Sequence, residues 1–133
     1  MSEAQKTEAV NQFVFMGRLP GLNDYVNACR SHWSRGAAMK RQVEQDIIWY
    51  ILAARGEGML RPATGPVRLY IEWHESDMRR DVDNIVSAKK FILDAMQRAD
   101  IIPDDNRHNV KQIADIIIDD TKDYVVVQVL DAE

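Results

Sequence analysis

The stretch that decides the fold is Val67-Arg68-Leu69-Tyr70-Ile71-Glu72-Trp73-His74, in which apolar and polar residues alternate. Successive side chains of an extended chain point to opposite faces, so this alternation predicts a strand with one face on the core. Pro66 opens the strand, as expected for a residue that has no backbone N–H to donate to a neighbouring strand. The rest of the predicted fold is arranged around this strand.

The chain on both sides of this strand predicts helices. Before it, apolar residues recur at steps of three and four over residues 35–54, which is typical of an amphipathic helix. These residues are Val43, Ile47, Ile48, Ile51 and Leu52. The run Arg55-Gly56-Glu57-Gly58 ends that helix. After the strand, residues 84–99 predict a second helix that is followed closely by a proline.

Three further runs predict strands, at residues 13–16, 110–118 and 124–130. The last two are separated by Asp119-Asp120-Thr121-Lys122-Asp123, which predicts a hairpin. The resulting order of elements predicts an α/β fold of the α+β kind, with two helices packed on a mixed four-stranded sheet. No repeat or linker interrupts the chain, so we expect a single domain over residues 12–133 after a flexible N-terminus of residues 1–11.

Composition limits the classes of function. The 133 residues are 46% hydrophobic and 29% charged, as expected for a globular protein rather than a disordered or membrane chain. The single cysteine excludes an internal disulfide and a thiolate zinc site, so we expect a protein of the cytoplasm with no membrane partner. The net charge is -4, so any contact with nucleic acid has to come from local basic patches.

The candidate chemistry lies around the second predicted helix, in Arg79-Arg80-Asp81-Val82-Asp83-Asn84, Lys89-Lys90 and Asp104-Asp105. If residues 79–83 are extended, Asp81 and Asp83 point to the same side. Two neighbouring carboxylates repel each other unless a cation lies between them, which favours a divalent metal such as Mg²⁺. Asp105 could complete the site only if the chain after the helix turns back along it.

These residues also allow two other interpretations. A calcium-binding loop that starts at Asp81 needs glycine at its sixth position and glutamate at its twelfth, but the chain has Val86 and Ile92 there. That interpretation fails. A purely structural interpretation stays open on spacing alone: Asp83 caps the helix, Lys90 pairs with Asp94, and the remaining charges are solvated.

A second basic stretch lies at residues 18–41, which hold one acidic residue, Asp24. Candidate DNA contacts combine this stretch with the cations around the second helix, and they are Asn23, Arg30, Arg35, Lys40, Arg79, Arg80 and Lys89. Tyr25 and Trp33 could stack on exposed bases, although core packing explains them equally well. Cys29, Trp49 and Trp73 are interpreted as buried residues.

Taken together, these motifs resemble the RusA family of Holliday junction resolvases. The resemblance rests on the Arg79–Asn84 motif, the lysine-bearing helix that ends Leu93-Asp94-Ala95-Met96, and the Asp104-Asp105 pair. The segment Leu19-Pro20-Gly21-Leu22-Asn23-Asp24-Tyr25 is similar to the family's early loop. The resemblance covers about residues 13–130, which is nearly the whole chain.

The resemblance implies that Asp81, Asp83 and Asp105 bind Mg²⁺ and are catalytic together with a lysine. The family pattern puts that lysine where this chain has Ser87, and counting back from Asp94 assigns it to Lys90, with Lys89 as the alternative. The implied activity is a homodimeric endodeoxyribonuclease of bacterial or phage context that resolves four-way junctions by paired symmetric nicks in recombination and repair. The alternatives are a branched-DNA-binding protein that cuts weakly or not at all, and a nuclease of flaps.

Overall fold

The computed structural model describes residues 10–132, and within them it contains four strands and four helical segments. The strands are β1 (Gln12–Met16), β2 (Val67–Glu75), β3 (Val110–Asp119) and β4 (Tyr124–Asp131). The helical segments are α1 (Leu22–Ser31), α2 (Trp33–Gly56), the single turn α3 (Val82–Val86) and α4 (Lys89–Arg98). The predicted flexible N-terminus lies outside the described residues except for Val10 and Asn11.

The sheet is mixed, as predicted, and has the strand order β1-β4-β2-β3. Strand β4 runs antiparallel to both β1 and β2, and β3 runs parallel to β2. The predicted hairpin between β3 and β4 is therefore wrong, because β2 lies between them. The connection instead crosses the end of β2, where Asp120 N donates to Glu75 O at 3.0 Å. Asp123 fixes the other side of this crossing by accepting from Ser76 N at 2.8 Å.

The core lies between one face of the sheet and helices α2 and α4. On β2 the alternation predicted from the sequence is confirmed, because Val67, Leu69, Ile71 and Trp73 are all buried. Facing residues of β4 and of the two helices complete the core, and they include Val127, Ile47, Ile51, Ile92 and Met96. The chain therefore forms a single α+β domain in which two helices cover a mixed four-stranded sheet.

Helix α1 is missing from the sequence prediction, although its signal is present. Leu22, Tyr25, Val26 and Cys29 recur at helical spacing, and Gly21 N donates to Asp24 Oδ2 at 2.9 Å as part of a capping box. None of its residues is buried, so packing on the sheet contributes little to this helix. Cys29 is exposed, which corrects its interpretation as a buried residue.

The predicted second helix is two segments. Helix α3 ends at Val86 and α4 begins at Lys89, so a helical wheel drawn through both does not relate Asp83 to Lys90. Asp81 is the extended residue that precedes α3, with φ -74° and ψ 157°, and Asp83 lies in the first turn of the helix. The expectation that Asp81 and Asp83 share one side of an extended segment is therefore wrong.

Two predictions about large side chains have different outcomes. Trp73 is buried, as expected, but Trp49 is 65% exposed on α2. The described residues include no helix that is both long and apolar enough to cross a membrane.

Candidate functional site

The two neighbouring arginines before α3 have opposite environments. Arg80 turns inward, where Nη2 donates to Glu75 Oε2 at 2.8 Å and Nε donates to Glu75 Oε1 at 3.1 Å. Its third contact is from Nη1 to the Leu19 carbonyl at 3.0 Å, and only 12% of the side chain is exposed. The donors of Arg80 are thus committed to the protein, and this geometry does not favour its predicted contact with DNA.

Arg79 instead projects into solvent, with 89% of its side chain exposed. Its contact is a forked ion pair with Asp77, in which Nη2 donates to Oδ2 at 2.7 Å and Nε donates to Oδ1 at 3.0 Å. This hydrogen bonding holds the pKa of Asp77 at about 2. A guanidinium carries five N–H donors, so Arg79 keeps donors that can reach a phosphate.

The two carboxylates of the predicted metal site, Asp81 and Asp83, are both exposed. Asp81 makes no side-chain hydrogen bond to the start of α3, although it occupies the capping position. Within residues 10–132, neither side chain has a hydrogen-bond or ion-pair partner. Their oxygen atoms are therefore open to solvent cations, and carboxylate oxygen is a ligand that Mg²⁺ prefers.

Lys90 and Asp105 come together at the beginning of α4. Lys90 Nζ donates to Asp105 Oδ2 at 2.8 Å and lies 3.2 Å from Asp94 Oδ1. The hydrogen bond with Asp105, and after it the one with Asp94, raises the pKa of Lys90. The hydrogen bond from Lys90 lowers the pKa of Asp105. Two of the four predicted catalytic residues are thus in direct contact.

This contact requires the chain after α4 to reverse direction, as the sequence analysis anticipated. The reversal begins at Asp100, which has a φ of 59°, the left-handed conformation common just after a helix. Ile101 and Ile102 follow and are buried, with Ile101 N donating to Met96 O at 2.9 Å. Burial of these two isoleucines brings the residues that follow, including Asp105, back along α4.

Lys89 points elsewhere. Its ammonium group binds Asp115 of β3, whose other carboxylate oxygen accepts from Trp73 Nε1 at 2.9 Å. Lys89 therefore attaches α4 to the sheet. Between the two lysines left open by the sequence, Lys90 is the one beside Asp105.

The early Leu19–Tyr25 segment docks directly on α3. Ser87 Oγ accepts from Leu22 N at 2.9 Å, and Asn84 Oδ1 accepts from Asn23 N at 3.0 Å. A Cβ atom on Gly21 would lie 2.4 Å from Asn84 Oδ1, so no larger residue fits there without a shift. Two of the segments that carry the family resemblance are thus in contact, and Gly21, Asn84 and Ser87 are contact residues that the sequence analysis did not identify.

The other predicted DNA contacts are only partly near this site. Lys40 reaches it, with Nζ 3.5 Å from Asp94 Oδ2. Asn23 is exposed beside α3, and Arg30 and Arg35 are exposed on α1 and α2. The structure brings neither arginine into contact with the Lys90–Asp105 pair.

A buried glutamate, Glu44, extends the charged cluster and was missed in the sequence. It is 1% exposed, lies 3.0 Å from Arg98 Nε and 3.9 Å from Lys40 Nζ, and its Oε2 atom has no hydrogen-bond partner among residues 10–132. Its sequence signal is a charge next to Val43 on the apolar face of α2. The result is a chain of alternating charges, Arg98, Glu44, Lys40, Asp94, Lys90 and Asp105.

Within residues 10–132, no three His, Cys, Asp or Glu side chains are positioned to bind one metal ion together. Asp105 faces Lys90, while Asp81 and Asp83 face solvent. The donor chemistry of the three carboxylates fits Mg²⁺, and Asp105 Oδ1 is the oxygen of that carboxylate that Lys90 does not contact. The shared magnesium site stays a prediction.

Comparison with known proteins adds no family assignment. No protein-family model matches this chain, and no curated protein matches it. The resemblance to the RusA resolvases therefore depends on the residues quoted from the sequence.

Proposed function

We propose that the protein is a magnesium-dependent endodeoxyribonuclease that cuts branched DNA, and in particular nicks four-way junctions in symmetric pairs. The observation that supports this most is the contact of Lys90 with Asp105 across 15 residues of sequence. The family resemblance makes both residues catalytic, although they are far apart in the chain. If Lys90 served only to pair with Asp94 on its own helix, it would not need to contact Asp105. The carboxylates of Asp81 and Asp83, which have no partner within residues 10–132, are consistent with a role in ligand binding.

Each residue has a distinct chemical role in this proposal. Asp81, Asp83 and Asp105 would hold Mg²⁺, which supplies Lewis-acid stabilisation of the charge on the scissile phosphate. Lys90 stays protonated because its neighbouring carboxylates raise its pKa. An ammonium group has three N–H donors, so Lys90 can keep its contacts with Asp94 and Asp105 and still donate to a phosphate oxygen. Arg79 would bind a neighbouring phosphate.

The homodimer is part of the same proposal. A four-way junction presents two related strands, and two symmetric cuts need two active sites related by a two-fold axis. The sheet face opposite the core offers a surface for such pairing. On this face Val14 pairs with Val126, and Ile116 and Ile118 lie on β3, with Glu72 and His74 of β2 between these two groups. Sedimentation velocity of the purified protein tests this, and a monomer at all concentrations would contradict it.

The proposal is tested with a labelled synthetic four-way junction, a flap and a linear duplex, each incubated with Mg²⁺ or with EDTA and resolved on denaturing gels. We expect symmetric nicks in the junction that require Mg²⁺. Asp83→Asn should abolish the nicks but retain junction binding on native gels. Asp131→Asn is the matched control, because Asp131 is an exposed carboxylate at the opposite end of β2. Cutting of the flap alone would reassign the substrate.

A second candidate function is a branched-DNA-binding protein that does not cut. One observation favours it: the Asp105 carboxylate already has a cationic partner in Lys90, whose Nζ lies 2.8 Å away. This candidate predicts a retarded junction complex on native gels and no nicks with Mg²⁺. Efficient cutting that Asp83→Asn abolishes would exclude it.

A further inference from the structure

A pocket of about 230 Å³ lies between helices α1, α2 and α4, beside the Lys90–Asp105 pair. Its lining includes Leu22 and Tyr25 from α1, Lys40 from α2, and Lys90 and Phe91 from α4. The volume is below the range of about 300–1,000 Å³ found for pockets that bind drug-sized ligands. The pocket therefore has room for one flat ring system and is too small for a base pair.

The inner wall of the pocket is aromatic. Tyr25 and Phe91 meet edge to face, with ring centroids 6.1 Å apart and an interplanar angle of 72°. Phe91 is buried in the core and cannot move freely, while Tyr25 is half-buried and Leu22 is 52% exposed at the mouth. A fixed aromatic wall of this kind favours a planar ligand that can stack.

Two lysines form the polar rim, and the charges around them cancel. Lys40 and Lys90 both contact Asp94, at 3.5 and 3.2 Å. The connected cluster holds three cations, Arg98, Lys40 and Lys90, and three anions, Glu44, Asp94 and Asp105. The rim therefore supplies N–H donors without a net positive charge. This combination suits a neutral ligand with acceptor atoms better than a free phosphate.

We propose that this pocket receives a single unstacked base of a branched DNA. The base would stack on Tyr25 and accept a hydrogen bond from Lys40 through a carbonyl oxygen or ring nitrogen. This inference rests on the proposed function, because it takes DNA as the substrate. Bases at a branch point have fewer stacking neighbours than bases within a duplex, which lowers the cost of moving one out of the helix. Since Lys90 belongs to both sites, the captured base would set the position of the strand next to Asp105.

The test is a thermodynamic cycle that removes the DNA base and the aromatic ring of Tyr25, first separately and then together. Junction affinity is measured by fluorescence anisotropy in EDTA, for the wild type and Tyr25→Leu, with intact junctions and with junctions that have abasic sites next to the branch point. We expect Tyr25→Leu to weaken binding of the intact junction about tenfold, as removal of a stacking side chain does. On the abasic junction the substitution should change affinity less than twofold. An equal loss on both junctions would overturn the proposal.

Control variants separate the pocket from general effects. Tyr25→Phe keeps the ring and should bind like the wild type. Tyr50→Leu removes an aromatic residue that contacts Phe15 and Trp49 instead, and it should show no dependence on the abasic site. If Tyr25→Leu does not fold, Leu22→Glu blocks the exposed mouth without touching the core and should give the same tenfold loss. If the loss of affinity caused by Leu22→Glu does not depend on the base, the proposal is overturned as well.

The cycle does not depend on cleavage, so it can fail independently of the proposed function. Base-dependent loss of affinity in a protein that makes no nicks with Mg²⁺ would support the pocket and contradict the nuclease. Nicking without base-dependent loss would support the nuclease and overturn the pocket. A protein that binds no junction in EDTA or Mg²⁺ would overturn both.

Discussion

Two groups of charged residues lie along the chain around the end of β2, and they differ in how their polar atoms are satisfied. In the first, His74 is 8% exposed, and its ring nitrogens lie 2.8 Å from Asp120 Oδ2 and 3.0 Å from Glu72 Oε1. Its ring also stacks on Tyr124 at 3.9 Å. In the second, the carboxylates of Asp81 and Asp83 are exposed and unpartnered within residues 10–132, and Lys90, which pairs with Asp105, has a side chain that is 63% exposed. We refer to these as the closed and the open group.

The difference shows which charges stabilise the fold and which are free to act on a ligand. Both ring nitrogens of His74 lie within hydrogen-bonding distance of a carboxylate oxygen. Neither nitrogen of that ring is left for a metal or substrate. The buried pair of Arg80 and Glu75 belongs with the closed group for the same reason. Lys90, Asp81 and Asp83 of the open group are exposed to solvent instead, which is why the candidate chemistry is assigned to this group.

The largest expected effect comes from breaking a closed contact. Arg80→Met removes the partner of Glu75, which is 4% exposed, and leaves an unpaired charge in the interior. Loss of one member of a buried ion pair costs about 3–5 kcal/mol, so we expect the free energy of unfolding to fall by about that amount in urea denaturation. Arg79→Met is the matched control and should leave the free energy of unfolding nearly unchanged, because the Arg79 side chain is in solvent. Equal losses would show that burial does not distinguish the two arginines.

The next effect concerns activity rather than stability. Lys90→Met removes a donor from the open group, and we expect the rate of junction nicking to fall about 100-fold, as it does when one electrostatic donor is removed from an active site. The side chain is 63% exposed, so the free energy of unfolding should change little. Single-turnover cleavage with Mg²⁺ measures the rate. Lys122→Met, in the loop before β4, is the control. A loss of stability without a loss of rate would move Lys90 into the closed group.

Docking of the early loop on α3 gives an intermediate effect on stability. Gly21→Ala places a methyl group within 2.5 Å of the backbone oxygen of Asn84, which cannot move without shifting α3. We expect a loss of about 1–3 kcal/mol in the free energy of unfolding, as for other overpacked sites. Gly65→Ala, where a Cβ atom meets nothing within 4 Å, should be neutral or slightly stabilising. If Gly21→Ala is equally neutral, the loop does not dock as closely as this geometry requires.

The sequence predicted the parts of this fold that depend on local patterns. The alternation in β2 and the apolar face of α2 are properties of neighbouring residues, and both were confirmed except at Leu52, which is 51% exposed. Strand pairing is not local: Asp119–Asp123 has the composition of a hairpin turn, but it also suits a loop that crosses the end of β2. The spacing of Leu22, Tyr25 and Cys29 is helical, but the sequence analysis treated this segment as a family-like loop within a basic stretch.

The site was predictable to a smaller extent. The sequence identified Lys90 and Asp105 as candidates and stated that the chain must turn back for Asp105 to join the site. It did not identify Glu44 as part of the site. A charged residue within an apolar stripe does not show which residue it pairs with, and the partner, Arg98, lies on a different helix, α4. It also treated Arg79 and Arg80 as equivalent, since the difference between them comes from Glu75 and Leu19, which lie in other segments.

The smallest expected effect separates the two groups by pH and salt. Hydrogen bonds from His74 and from Lys90 hold the pKa values of Asp120 and Asp105, respectively, below the ordinary value of 3.8. A carboxylate with a lower pKa in the folded state stabilises the fold above its unfolded pKa, and this contribution is lost as the pH falls through the folded pKa. We therefore expect the free energy of unfolding to decrease below about pH 4, and Asp120→Asn and Asp105→Asn each to make this decrease smaller.

Salt should then distinguish the contribution of the closed group to the free energy of unfolding from that of the open group. The Lys90 side chain is 63% exposed, whereas that of His74 is 9% exposed, and only well-solvated charges are strongly screened. The free energy of unfolding is measured by urea denaturation between pH 2 and 6. We expect 1 M NaCl to remove most of the difference in this free energy between the wild type and Asp105→Asn. The difference between the wild type and Asp120→Asn should persist, because the imidazole ring is enclosed by Tyr124, Glu72 and Asp120. Equal sensitivity to salt would mean that the two groups are solvated alike, and the distinction between structural and available charge would then have to be drawn by activity alone.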